Sequence, residues 1–168
     1  MDRTLIENIF NLCVVIIFLL ISRKDLKEKI IPNFFVLGII FLKLLKIIFL
    51  NENFEKSFLG LGVFPIILIF IYGYVSDFLK KEIIGFGDIK LVGAIGFYLG
   101  YSGIYNFIIF HNIIFILSFL FVLPIIFIKR LKKEKEIPFA PFICLGTIIY
   151  KIFMVIAWKK EDIFLWKL

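Results

Sequence analysis

Long apolar runs alternate with short charged ones along the whole chain. Six apolar runs stand out: Leu5–Ile21, Ile30–Leu50, Phe58–Val75, a weaker run from about Ile83 or Gly87 to Leu99, Ile104–Ile128 and Ile137–Trp158. At about 1.5 Å per residue, all but the fourth are long enough for a helix to cross most or all of a hydrocarbon core about 30 Å thick. The segments between them, Ser22–Lys29, Asn51–Ser57, Ser76–Gly87, Tyr101–Gly103 and Lys129–Glu136, carry charges or turn formers and read as loops. The pattern predicts an all-α integral membrane protein, a bundle of about six transmembrane helices forming a single domain over residues 1–168. The first run has no strongly basic start and no small-residue cleavage site before Arg23, so it reads as a retained helix rather than a signal peptide. Pro32 suits the first turn of the second helix, and Pro65 predicts a kink in the third. Gly93 and Gly96 in the fourth predict close helix approach. Lys43 and Lys46 lie roughly 20–24 Å along the second helix, which lets them snorkel to the far interface. Trp158 and Trp166 suit a membrane interface.

Composition reinforces this picture. Of 168 residues, 62% are hydrophobic and 23 are Phe, against about half apolar in soluble domains. The net charge of +7 would suggest nucleic acid in a soluble protein. Here the basic residues sit in short loops, and no aromatic–basic interleaving on a polar surface supports nucleic-acid binding. The first, third and fifth loops hold Arg23, Lys24, Lys27, Lys29; Lys80, Lys81, Lys90; and Lys129, Arg130, Lys132, Lys133, Lys135, twelve of the 20 Lys and Arg. That bias places these loops in the cytoplasm and both termini outside. Cys13 and Cys144 each fall within an apolar run, far from any CxxC spacing, and read as small buried hydrophobes. A single His makes a metal cluster unexpected.

Gly85-Phe86-Gly87-Asp88-Ile89-Lys90-Leu91 interrupts the apolar pattern most sharply. An acid at the mouth of a membrane helix is costly and calls for a function. Gly85 and Gly87 would let an extended peptide backbone come close. Equally, Asp88 reads as a helix N-cap. Lys90, two residues on, is off the helical face of Asp88 and reads as an interface anchor or a field-tuning charge. Asp25 falls at the same membrane face, amid four basic residues, and reads either as a solvated loop charge or as a partner for Asp88. Asp77 reads as the interfacial end of the third helix. Two carboxylates at one depth can share a proton. The ionised one then takes a proton from a water while the neutral one polarises a scissile carbonyl, which is peptide hydrolysis without metal or covalent intermediate.

Three patches give the chain a family resemblance. Asp25 is followed by Pro32-Asn33; Gly85 to Leu91 forms a GxGD motif with its continuation; and Ile137-Pro138-Phe139-Ala140-Pro141-Phe142 is a proline-flanked signature at the last helix. Together they resemble the type IV prepilin peptidases, GxGD-type membrane aspartic proteases, over about Leu5 to Tyr150. The resemblance implies Asp25 and Asp88 as the catalytic pair. Pro32, Asn33, Gly85, Gly87, Lys90, Pro138, Phe139 and Pro141 would support the motifs or the substrate. It implies no cofactor. The implied partner is a prepilin or pseudopilin, with a basic leader and a hydrophobic helix, embedded in membrane lipid and cut at the cytoplasmic face of the inner membrane.

Two departures bear on the activity. Longer relatives carry paired cysteines in a cytoplasmic region tied to N-methylation; this chain has none, so no methyltransferase activity is expected. Ala140 stands where many relatives have glycine. From the residues themselves, Pro138 and Pro141 both read as first-turn prolines. Two other readings compete with this one. A presenilin-type GxGD protease would carry an acid deep in a helix and cut within the bilayer. A small polytopic carrier or scaffold would bind cations through its acids, usually near the midplane of an inverted repeat.

Overall fold

A computed structural model describes residues 3–80, 84–129 and 138–165, with side chains described as far as Leu123 and Ala157 in the last two helices. Among these residues, eight α-helical segments run α1 Arg3–Glu28, α2 Asn33–Leu50, α3 Phe54–Val63, α4 Ile66–Phe70, α5 Ser76–Leu79, α6 Phe86–Leu99, α7 Ile104–Lys129 and α8 Ala140–Leu165. A π-helical turn, Ile71–Val75, joins α4 to α5. Among the described residues, five tracks are long and apolar enough to cross a membrane: α1, α2, the run Phe54–Leu79, α7 and α8. With α6 they make the expected helical membrane bundle. The charged segment after α7, Lys81, Glu82, the side chain of Trp158 and all of Trp166 lie outside the described residues.

The weak fourth run is the centre of the bundle. α6 packs against α2, α3 and α8, while α1 packs on α2 and α8, and α7 on α8. Asp88, Ile89 and every residue from Leu91 to Tyr98 are buried. Its glycines allow this. A Cβ on Gly96 would lie 2.3 Å from the Gly60 carbonyl oxygen, and one on Gly60 would lie 2.1 Å from that of Gly96. The two backbones therefore touch where α3 crosses α6. In lipid, where apolar surface has no water to escape, such van der Waals contact drives helix association. Gly93 makes only ordinary contacts, with Leu61 and Pro65.

Several helix ends differ from the sequence expectation. The third track begins at Phe54 rather than Phe58, because the Asn53 side chain accepts a hydrogen bond from the Lys56 amide at 3.2 Å and caps the helix early. Pro65 does interrupt it, separating α3 from α4, since proline lacks the amide and its ring crowds the preceding turn. Phe64 at this break packs on Phe110 of α7 at 4.9 Å between ring centroids. Ser76–Leu79 is helical, so that loop starts at Lys80, which takes a left-handed φ of 50°. Pro32 is not in the first turn of α2 but is its N-cap. Pro138 precedes α8, leaving Pro141 as the only first-turn proline there. Lys43 and Lys46 turn toward the far end of α2, where both are only 4% exposed and are paired with Glu52 and Glu7 rather than free in solvent.

Candidate active site

Asp25 is not in a loop. α1 continues to Glu28 because nothing between Cys13 and Lys29 breaks a helix, and the chain turns only at Lys29, which adopts φ 55°. Asp25 follows Val14, Phe18 and Ile21 on the buried stripe of α1, at the three- and four-residue spacing of one helix face. It is 6% exposed. The neighbouring Lys24 points elsewhere, pairing with Glu28 at 3.6 Å on the exposed side. The solvated-loop reading of Asp25 therefore fails, since its carboxylate faces inward. There its Oδ2 accepts a hydrogen bond from the Ala140 amide at 3.1 Å. Ala140 is the first residue of α8, where backbone amides have no partner within the helix.

Asp88 is the third residue of α6. The N-cap is Gly85, so the plain capping reading does not hold. Its carboxylate folds back toward the Gly85 amide, a reciprocal first-turn arrangement, and the residue is 8% exposed. A Cβ on Gly85 would sit 3.5 Å from Asp88 Oδ2. Gly87 serves the fold as well: a Cβ there would press on Ile31 at 3.3 Å, so the α1–α2 connection lies directly on the start of α6. Lys90 Nζ donates to Asn33 Oδ1 at 2.7 Å and lies 5.4 Å from the Phe86 ring centroid. It ties the first turns of α2 and α6 together rather than standing free as an anchor. Asp77 is exposed near the end of its helical track.

The two carboxylates lie in each other's electrostatic field. Cys144 of α8, buried as expected, faces both of them and Ser22. Phe139, just before α8, stacks on Phe115 of α7 at 6.5 Å. The three sequence patches thus converge on one end of the bundle. Asp25 comes from α1, Pro32 and Asn33 from the start of α2, Gly85 to Lys90 from the start of α6, and Phe139-Ala140 from the start of α8. The sequence reading missed three contributors: the Ala140 amide, Ser22 and Cys144. The buried stripe of α1 carried a signal for Asp25's inward direction; nothing local to residue 140 marked its amide as a donor to residue 25. Among the described residues, no three His, Cys, Asp or Glu side chains cluster closely enough to hold a metal ion.

Two carboxylates withdrawn from solvent and within each other's field can hold one proton between them. Such a pair is equipped to act as acid and base on one water molecule. The model of the type IV leader peptidase family matches residues 12–154, a span that takes in all three patches. No curated protein and no solved structure gives a significant match.

Proposed function

Since the chain belongs to the type IV leader peptidase family, a family of proteases, we propose that this multi-pass membrane protein is an aspartic endopeptidase that uses Asp25 and Asp88. The observation that carries this reading is the burial of both carboxylates at one end of the bundle, within range of each other. A water held between them loses a proton to the ionised carboxylate as its oxygen attacks the scissile carbonyl carbon. The neutral carboxyl donates its proton to the carbonyl oxygen. Collapse of the tetrahedral diol returns that proton and passes the other to the leaving amine, so the pair ends as it began. The Ala140 amide donates to Asp25 Oδ2, which fixes that carboxylate in one orientation for the part of the base.

The substrate is a prepilin or pseudopilin whose basic leader approaches from the cytoplasm and whose hydrophobic helix stays in lipid. The positive loops at the Asp25–Asp88 end support a cytoplasmic site. A site at the end of helices, rather than halfway along them, favours this reading over a presenilin-type protease and over a carrier. No methyl transfer accompanies cleavage.

The test is incubation of purified protein with a synthetic leader-plus-helix peptide and a methyl donor, followed by mass measurement. The expected products are a released basic leader and an unmethylated hydrophobic remainder. An uncut peptide, or a cut within the apolar segment, would overturn the assignment.

A further inference from the structure

A second polar cluster lies at the end of the bundle away from the aspartates. Lys43 of α2 pairs there with Glu52 of the α2–α3 connection, and Lys46 pairs with Glu52 at 2.9 Å and with Glu7 of α1 at 3.2 Å. Both ammonium groups, and that of Lys151 of α8, stand 5.0–5.9 Å from the ring centroid of Tyr98 of α6. Beside the ring is the side-chain oxygen of Asn11 of α1. The Tyr98 hydroxyl donates to it at 2.7 Å, and Lys151 donates to it as well. Three helices therefore meet at one oxygen atom. They are the three that supply Asp25, Asp88 and the Ala140 amide.

The register of these contacts matches that of the site. Asn11 precedes Asp25 by 14 residues, about four helical turns, so both lie on the stripe of α1 that carries Val14, Phe18 and Ile21. Lys151 follows Ala140 by 11 residues, about three turns, and shares its side of α8. The seam between α1 and α8 is thus hydrogen-bonded at both ends, by Asp25 and Ala140 at one and by Asn11 and Lys151 at the other. The two bonds stand roughly 17–21 Å apart at about 1.5 Å per residue.

Apolar packing leaves the rotation of α1 poorly determined. Its exposed side, with Leu5, Ile9, Leu12, Ile16 and Leu19, is as apolar as its buried stripe, and in lipid transfer prefers neither. Polar contacts have to choose. A rotation of about 20° moves a side-chain end about 5 Å from the helix axis by about 2 Å, enough to break the 3.1 Å bond to the Ala140 amide. We propose that Asn11 is a positioning residue for the catalytic pair. Its oxygen, held by Tyr98 and Lys151, fixes the rotation of α1 against α6 and α8 and so keeps Asp25 turned toward Asp88 and the Ala140 amide. This role rests on the aspartic-protease reading above.

The experiment follows cleavage of the leader-plus-helix peptide against pH, in detergent and well below each variant's unfolding midpoint. Asn11→Leu keeps the bulk of the side chain and removes the acceptor. It lowers kcat by about tenfold, the scale of a small misplacement of reacting groups, and leaves KM within about twofold. It also draws the two limbs of the bell-shaped profile together by about half a pH unit or more, because carboxylates that move apart couple less. Asn11→Asp restores an acceptor oxygen, and with it the unaltered profile and a kcat within about threefold. Should Asn11→Leu not fold, Tyr98→Phe removes only the hydroxyl and reports the same narrowing. Glu52→Gln weakens the cluster without touching the Asn11 oxygen, so it lowers the midpoint and leaves the profile in place. An unchanged kcat and profile in Asn11→Leu, while Asp25→Asn and Asp88→Asn lose cleavage, overturns the positioning role and leaves the protease reading standing. An equal narrowing in Glu52→Gln also overturns it and assigns the effect to the stability of the cluster. Cleavage that survives both aspartate substitutions removes the protease reading, and with it the pair to be positioned.

Discussion

The Asp25 carboxylate of α1 is held by the backbone amide of Ala140, 115 residues further along the chain, at 3.1 Å. This bond joins the end of the first long helix to the beginning of the last. It also leaves one carboxylate oxygen free of that amide. A charged acceptor gains about 1.5–3 kcal/mol from such a bond, enough to hold the carboxylate in one orientation while its partner varies.

Ala140 is fully buried, so its side chain sets how closely α8 approaches α1. Ala140→Gly keeps the amide and retains cleavage within about threefold. Ala140→Val adds two methyl groups to a filled position, at about 1–3 kcal/mol, and moves the amide away. Steady-state cleavage of the leader peptide then falls by about tenfold or more, while helix content by circular dichroism is unchanged. Full activity in Ala140→Val would show that the amide bond to Asp25 is dispensable.

Asp25→Asn and Asp88→Asn each remove one member of the proposed pair at nearly constant shape. Each lowers cleavage by at least about 10²-fold, the scale of one acid–base role, and the double variant is little worse than either alone because the two act as a unit. Product mass after extended incubation gives the measurement. A single variant that still cuts at near the unaltered rate would remove its aspartate from the mechanism.

Gly60 and Gly96 meet backbone to backbone, so an added methyl has no flexible side chain to push aside. Gly60→Ala and Gly96→Ala should each cost about 1–3 kcal/mol, read as a lower unfolding midpoint in detergent. Gly62→Ala is the control: a Cβ there meets nothing within 4 Å, and the midpoint stays within about a degree or rises slightly from the better helix propensity. Equal midpoints for all three variants would contradict the close crossing of α3 and α6.

Glu52 gives stability a pH dependence. Burial alone would push its carboxyl up, but hydrogen bonds and charges from Lys43 and Lys46 outweigh that and hold it below its ordinary value. A group depressed in the folded state stabilises the fold above its unfolded value, about 4.3. That contribution fades as the pH falls toward the folded value. Glu52→Gln leaves two buried lysines with only Glu7 and costs about 3 kcal/mol at pH 7. The gap between the two proteins narrows at acid pH. A gap that stays constant between pH 7 and pH 3.5 would exclude Glu52 as its source.

Helix number, the order of the spans and the Pro65 break could be read directly from the chain. Each depends on local chemistry: apolar length against the thickness of a bilayer, and the missing amide of proline. The weak fourth run was placed correctly, although its low apolar length gave no hint that it forms the centre. Its position comes from Gly60 on another helix, which no pattern within residues 86–99 contains. Helix ends were read less well. The Asn53 cap and the charged C-terminal end of α1 both lie outside the apolar runs, so a boundary drawn from hydropathy leaves them in loops although the backbone there is helical or caps a helix.

Sequence alone determined that this chain lives in lipid and that acids stand near the ends of its first and fourth runs. Burying apolar residues and exposing charged ones are transfer preferences, and those preferences are written residue by residue. Tertiary structure alone decided that a backbone amide from α8 receives Asp25 and that three lysines gather around Tyr98. Those outcomes depend on which helices are neighbours and on their rotation about their own axes. Contacts between residues far apart along the chain set both.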